Sequence, residues 1–165
     1  MENFLLKKRK IILQIILIIS VIVIIRNYQQ QGLIKDTIPN FITTNIVGEK
    51  INLNNIDKPI LIHFWATWCK ICSFGIDNIE NIAKDYQVLN IAVDSGKNTA
   101  VKEYAKENKM NLKNIINDNT DTLTRLFGVK VVPTSFIIDS NKEIKFKEVG
   151  HTTELGLRLR LMWSK

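Results

Sequence analysis

The chain has 165 residues, 45% of them hydrophobic, with two cysteines, two histidines and a formal charge of +7. A four-ligand structural zinc site would need all four of those Cys and His residues to converge. The basic excess sits at the start: residues 1–33 hold five basic residues against Glu2, leaving only +3 for the other 132. That remainder has no arginine-rich run and no basic stripe interleaved with aromatics, which excludes a phosphate-tracking surface and, with it, nucleic acid as a partner.

From Ile11 to Ile25 the sequence IILQIILIISVIVII is apolar except for Gln14 and Ser20, and Lys7-Lys8-Arg9-Lys10 precede it. These 15 residues are fewer than the roughly 20 of an average spanning helix, but Phe4, Leu5 and Leu6 lengthen the apolar stretch and lysine stems snorkel. No small-x-small cleavage pattern follows, so residues 1–26 are expected to stay attached as a signal-anchor. Four basic residues before the helix against Arg26 after it predict a cytoplasmic N-terminus and a domain outside the cytoplasm. Residues 27–36, polar and glutamine-rich, read as a tether, and residues 37–165 as one domain.

Along that domain, two short stretches flank Gly48-Glu49 as a hairpin, and Pro59 to Trp65 is a near-continuous apolar run, the pattern of a strand buried on both faces. Residues 73–86 carry apolar side chains at helical spacing, and Val88–Val93 is the next buried strand. Helices are expected over 99–106, with Asn98 or Thr99 as cap, and over 120–127, ending at Gly128. A strand pair, 135–139 and 144–149, turns at Ser140-Asn141-Lys142, and a closing helix starts near Thr153. Such an order gives an α/β sandwich on a mixed sheet.

The two cysteines stand in Trp68-Cys69-Lys70-Ile71-Cys72, where a buried strand gives way to a helix. Amide donors at a helix start, with Lys70 beside them, favour a thiolate at Cys69; Cys72, one turn on, is placed to attack Cys69 and release a bound substrate. A structural bridge is a competing reading, although so short a loop removes little chain entropy, and a metal half-site is another. The strand before the motif and its Trp-Cys start favour the redox pair.

Phe64-Trp65-Ala66-Thr67-Trp68-Cys69-Lys70-Ile71-Cys72 and, some sixty residues later, Val131-Val132-Pro133-Thr134-Ser135-Phe136 together resemble the thioredoxin superfamily. More narrowly they are similar to the membrane-tethered thioredoxin-like proteins of cytochrome c biogenesis, and residues 150–161 to the suppressor-of-copper-sensitivity group. The resemblance implies a thioredoxin-like sandwich with an N-terminal hairpin and one transmembrane helix, held in a bacterial inner membrane with the domain in the periplasm or otherwise outside. It implies a protein disulfide reductase or isomerase needing no cofactor, whose partners are cysteine-containing extracytoplasmic proteins and a membrane electron-transfer protein. Within the site it implies a cis Pro133, with Val132 pairing to an incoming peptide and Trp68 on the rim.

Lys-Ile stands between the cysteines where relatives usually carry a proline, so the potential does not carry over. His63 occupies the place of a carboxylate that assists deprotonation of the second cysteine; it either does that job, with a pKa nearer neutrality, or is a strand histidine satisfied by the backbone. Gly75 stands where haem-pathway reductases often carry an acid. A copper chaperone using both cysteines and His151 is the alternative function, with His151 as a surface residue otherwise. Arg158 and Arg160, alternating with leucines, read as a solvated helix face.

Overall fold

The computed structural model describes residues 2–53 and 58–164, with the backbone alone for residues 2–7. The side chains expected to lengthen the span, Phe4 to Leu6, and that of Lys7 therefore lie outside the described residues. The chain divides into two compact units, residues 1–31 and 32–165.

The first unit is one helix, α1 (Glu2–Gln29). Its stretch Lys8–Gln29, 22 residues, is long and apolar enough to cross a membrane; at 1.5 Å per residue it measures about 33 Å, against roughly 30 Å of hydrocarbon. The helix does not stop at Arg26. Nothing in Asn27-Tyr28-Gln29 breaks it, and Gln30 still donates from its backbone N–H to Arg26 O (3.0 Å). The segment read as a tether is also shorter at its other end, because Leu33 and Ile38 are buried in the core of the second unit.

The second unit opens with a separate hairpin, β1 (Ile42–Thr44) against β2 (Lys50–Asn52). Five strands form the main sheet: β3 (Ile60–Trp65), β4 (Gln87–Val93), β5 (Ile115–Asp118), β6 (Thr134–Ile138) and β7 (Ile144–Val149), in the order β5-β4-β3-β6-β7. β3, β4 and β5 run parallel, while β6 and β7 are antiparallel additions, so the sheet is mixed. All six residues of β3 are buried, as a central strand covered on both faces requires. β5 was not legible: Ile-Ile-Asn-Asp is four residues long, half of them poor strand formers, with no alternation to mark it.

One face of the sheet packs Ile60, Ile62, Phe64, Leu89, Ile91 and Phe136 under Phe127 of α5 (Thr122–Phe127) and under Leu33. The opposite face packs Leu61, Val88 and Ile137 against Ile79 and Ile82 of α3 (Ile76–Ile82) and against Leu157 and Leu161 of α6 (Glu154–Trp163). α5 ends at Gly128, whose φ of +67° lets Gly128 N–H reach Arg125 O and Val129 N–H reach Thr124 O. A Cβ at Gly128 would lie 1.9 Å from Gly32 O, so glycine is also what lets the start of the unit lie against α5.

Three helical expectations shift, the first being the helix read over 120–127, which starts at Thr122. The helix read over 73–86 is shorter, α3 alone, and the separate α2 (Lys70–Ser73) precedes it, the two parted at Phe74-Gly75, where glycine supplies the weakest helix propensity of the stretch. α4 (Asn98–Glu107) begins one residue earlier than expected, with Lys97 at the cap and no side-chain bond; Asn98 Oδ1 instead accepts from Asn117 Nδ2 (2.9 Å). α6 starts as read, with Thr153 Oγ1 accepting from Gly156 N–H (3.2 Å).

Candidate active site

At the C-terminal end of β3 the chain turns through Ala66-Thr67-Trp68 into α2. The turn is pinned to the end of the neighbouring β4: Thr67 N–H donates to Ser95 Oγ (3.0 Å) and Trp68 Nε1 to Asp94 O (2.9 Å). Trp68 thereby stays exposed on the rim, its indole fixed at one end. Neither Ser95 nor Asp94 was legible as a site residue, since nothing local marks a residue that holds a distant turn.

Cys69 is the N-cap of α2, with extended backbone (φ −85°, ψ 99°), and its sulfur accepts from Cys72 N–H at 3.2 Å. An N-cap acceptor that is itself a sulfur is stabilised as an anion by the amide pointing at it. The two sulfurs form a disulfide across a Cα separation of 5.2 Å. Cys69 is 8% exposed and Cys72 2%, so the first cysteine is the more open of two buried residues. Lys70 directs its ammonium over the Phe74 ring, 5.5 Å from the centroid, which holds the cation on the rim.

β6 lies antiparallel beside β3, with Thr134 in register with Phe64 and Ser135 with His63. This pairing brings the loop before β6 across the cysteine turn. The Val132–Pro133 peptide bond is cis, and Val132 O lies 3.7 Å from Cys69 Sγ. Gly150 N–H, at the end of β7, donates to Pro133 O (2.8 Å) and anchors the loop from its other side. Trp68, Ile71, Phe74 and Val131 stand exposed near the disulfide, with charged Lys70, Asp94 and Lys130 among them.

Beneath Cys72 is a crevice of about 10 Å³, room for about one water, whose walls include His63, Ser135, Pro133, Gly75 and His151. His63 Nδ1 and Ser135 Oγ are 2.9 Å apart, a hydrogen bond whose direction follows the tautomer. The histidine is satisfied by a side chain, not by the backbone partner expected from sequence. Ser135 was missed, although its phase with Pro133 along β6 placed it on the same face.

The expectation of a His63 pKa nearer neutrality is corrected: burial penalises the imidazolium and lowers the value to about 4. Because the unfolded histidine titrates near 6.5, the unfolded chain binds more protons than the folded one between those values. Stability from this group is complete above about pH 6.5 and is lost as pH falls toward 4, on the order of 3 kcal/mol in all. Urea unfolding from pH 7 to pH 4 should show that slope in the parent and a shallower one in His63→Gln.

His151 lines the crevice mouth, close enough to Gly75 that a Cβ there would sit 3.6 Å from its Cδ2. Gly75 thus opens the space between the second cysteine and His151. Among the described residues no group of three or more His, Cys, Asp or Glu side chains is arranged to hold a metal ion. Arg158 and Arg160 are not a free solvated face. Arg158 bridges Asp85 and Glu154 at 2.7 Å each, and Arg160 bridges Glu148 at 2.8 Å, tying α6 to its neighbours.

Comparison with known proteins agrees with this geometry. The AhpC/TSA family model matches residues 34–147. A thioredoxin-like protein of Haemophilus influenzae is 27% identical over 156 residues, covering 93% of this chain and 92% of its own. The thiol-disulfide oxidoreductase ResA of Bacillus cereus is 31% identical over 121 residues, covering 70% of this chain and 69% of its own. In three dimensions, a thiol:disulfide interchange protein of the thioredoxin family from Chlorobium tepidum superposes with a TM-score of 0.69 at 22% identity, over 79% of this chain and 97% of that one.

Proposed function

The chain belongs to the AhpC/TSA family and is a thiol-disulfide oxidoreductase of thioredoxin fold, and from that premise we propose that it reduces or isomerises disulfides of extracytoplasmic proteins through Cys69 and Cys72. The observation that carries this reading is the placement of the more exposed cysteine, Cys69, at a helix cap beside the Val132–Pro133 loop, among exposed apolar side chains.

In the forward direction the Cys69 thiolate attacks one sulfur of a substrate disulfide, forming a mixed disulfide and expelling the other substrate sulfur as a thiolate. Trp68, Val132 and Pro133 hold the substrate chain. Cys72 then loses its proton to solvent through the crevice it shares with His63 and attacks Cys69. The Cys69–Cys72 disulfide closes, the second substrate thiolate leaves, and two electrons have passed to the substrate. Lys70 adds positive charge next to the attacking sulfur.

α1 anchors the enzyme in a bacterial cell membrane, and the Lys7-Lys8-Arg9-Lys10 cluster keeps its N-terminus in the cytoplasm. The domain then works in an oxidising compartment, so a membrane electron-transfer partner must return the pair to the dithiol after each turnover. The copper-chaperone reading draws on the same two sulfurs and His151, and no ligand cluster among the described residues favours it.

The direction of flow is tested by equilibrating the pair of the full chain with glutathione buffers of known potential. A reductase predicts a midpoint near or below about −250 mV; a midpoint near about −120 mV would make the protein an oxidant.

A further inference from the structure

The chain has two histidines, far apart in sequence, and both line the crevice beneath Cys72. They stand on opposite terms with solvent. His63 is buried, its Nδ1 is taken by Ser135 Oγ (2.9 Å), and a pKa lowered to about 4 leaves it without a proton at neutral pH. His151 is exposed and sits where the crevice opens. A Cβ at Gly75 would lie 3.6 Å from His151 Cδ2 and 3.5 Å from Cys72 O, so the ring and the second cysteine border one gap, which glycine leaves clear.

Besides Cys72, the two imidazoles are the titratable groups among the crevice walls. The charged side chains of the surrounding elements are engaged or turned elsewhere. Lys70 of α2 lies over Phe74, Glu154 of α6 is held by Arg158 and Asn81, and Glu148 of β7 by Arg160. Asp77 of α3 lines a separate cleft with Glu80 and Lys84.

We propose that His151 accepts the proton of Cys72 in the resolving step and that its imidazolium then stabilises the Cys72 thiolate. The inference rests on the reading of Cys72 as the resolving cysteine. The crevice has room for about one water, and Cys72 Sγ, Ser135 Oγ and the His151 ring supply the polar partners such a water needs. The proton passes from Cys72 through that water to His151. Cys72 thiolate attacks Cys69 Sγ, the bond from Cys69 to the substrate sulfur breaks, and that sulfur leaves with the electron pair as a thiolate. His151 then returns its proton to solvent. The first attack does not draw on His151, because Cys69 Sγ already has the Cys72 N–H as its donor (3.2 Å) and stands at the helix cap.

The reduced full chain in detergent is mixed in a stopped-flow instrument with a sub-stoichiometric amount of dithiobis-nitrobenzoate. One thionitrobenzoate is released when Cys69 attacks and a second when Cys72 resolves. In His151→Ala the first release keeps its rate, and the second slows by about tenfold or more near pH 7. That deficit closes as the pH rises past about 8.5, where an ordinary thiol ionises unaided. Added imidazole restores the second release in His151→Ala, and His151→Gln, which keeps a polar side chain, is as slow as His151→Ala. Both variants stay folded, since His151 is exposed and the neighbouring anchor, Gly150 N–H to Pro133 O, is made by backbone. A second release as fast in both variants as in the parent at every pH would overturn the proposal, and so would one slowed equally at every pH and indifferent to imidazole. A parent that releases only one thionitrobenzoate has no resolving Cys72, and the reading beneath the proposal then falls with it.

Discussion

Cys69→Ser abolishes insulin reduction by the full chain, a loss of about 10³-fold or more that brings the rate to that of the reductant alone. The substitution keeps the cap geometry, because a serine oxygen at position 69 still accepts from Cys72 N–H, but a hydroxyl does not ionise there and cannot attack a disulfide. Folding is therefore preserved, and a stopped-flow insulin assay alongside circular dichroism separates lost chemistry from lost structure. Cys72→Ser behaves differently. The first attack proceeds, resolution does not, and the enzyme stalls after one encounter. The asymmetry follows from the 8% and 2% exposures of the two cysteine residues and from the amide donated to Cys69 Sγ.

Phe127→Ala is expected to cost about 3–5 kcal/mol, the range for truncating a fully enclosed aromatic side chain. Phe127 is fully buried, and its ring meets Phe64 at 5.3 Å, Phe136 at 5.1 Å and Phe41 at 6.1 Å, centroid to centroid. It joins two adjacent strands, the segment leading into β1, and α5 in one cluster. Removing it leaves a cavity that three rings cannot fill without leaving their rotamers. The thermal midpoint should fall by about 10 °C, measured by calorimetry. Phe64 immediately precedes Trp65 and Phe136 immediately follows Ser135, so exchange activity should decline before unfolding is complete.

The site was legible in sequence where its signals are local. A six-residue apolar strand running into Trp-Cys-x-x-Cys places the cysteines at a strand-to-helix turn whatever surrounds them. The loop at Val132-Pro133 was placed only through a resemblance, because nothing within the loop says that β6 will lie beside β3. Contacts made across strands were the least legible. Ser135 meets His63 because of sheet register, and the pins on Trp68 and Thr67 come from the end of β4. β5 escaped because a parallel edge of four residues needs no periodicity once β4 offers it a ladder. The arginines of α6 looked solvated in sequence because two of their three acidic partners, Asp85 after α3 and Glu148 on β7, lie elsewhere in the chain. His63 shows how burial, invisible in a lone residue type, decides chemistry: the same imidazole that would titrate near neutrality in water is held neutral beside Cys72.

Catalysis turns on Cys69 as the sulfur that attacks. The most direct test mixes the reduced Cys72→Ser full chain with a disulfide-bonded peptide and reads the trapped adduct by mass spectrometry. A mixed disulfide of one peptide per chain on Cys69, absent from Cys69→Ser, is the predicted result. An adduct that forms equally well on Cys72 in the Cys69→Ser chain, or no adduct with either, would contradict it.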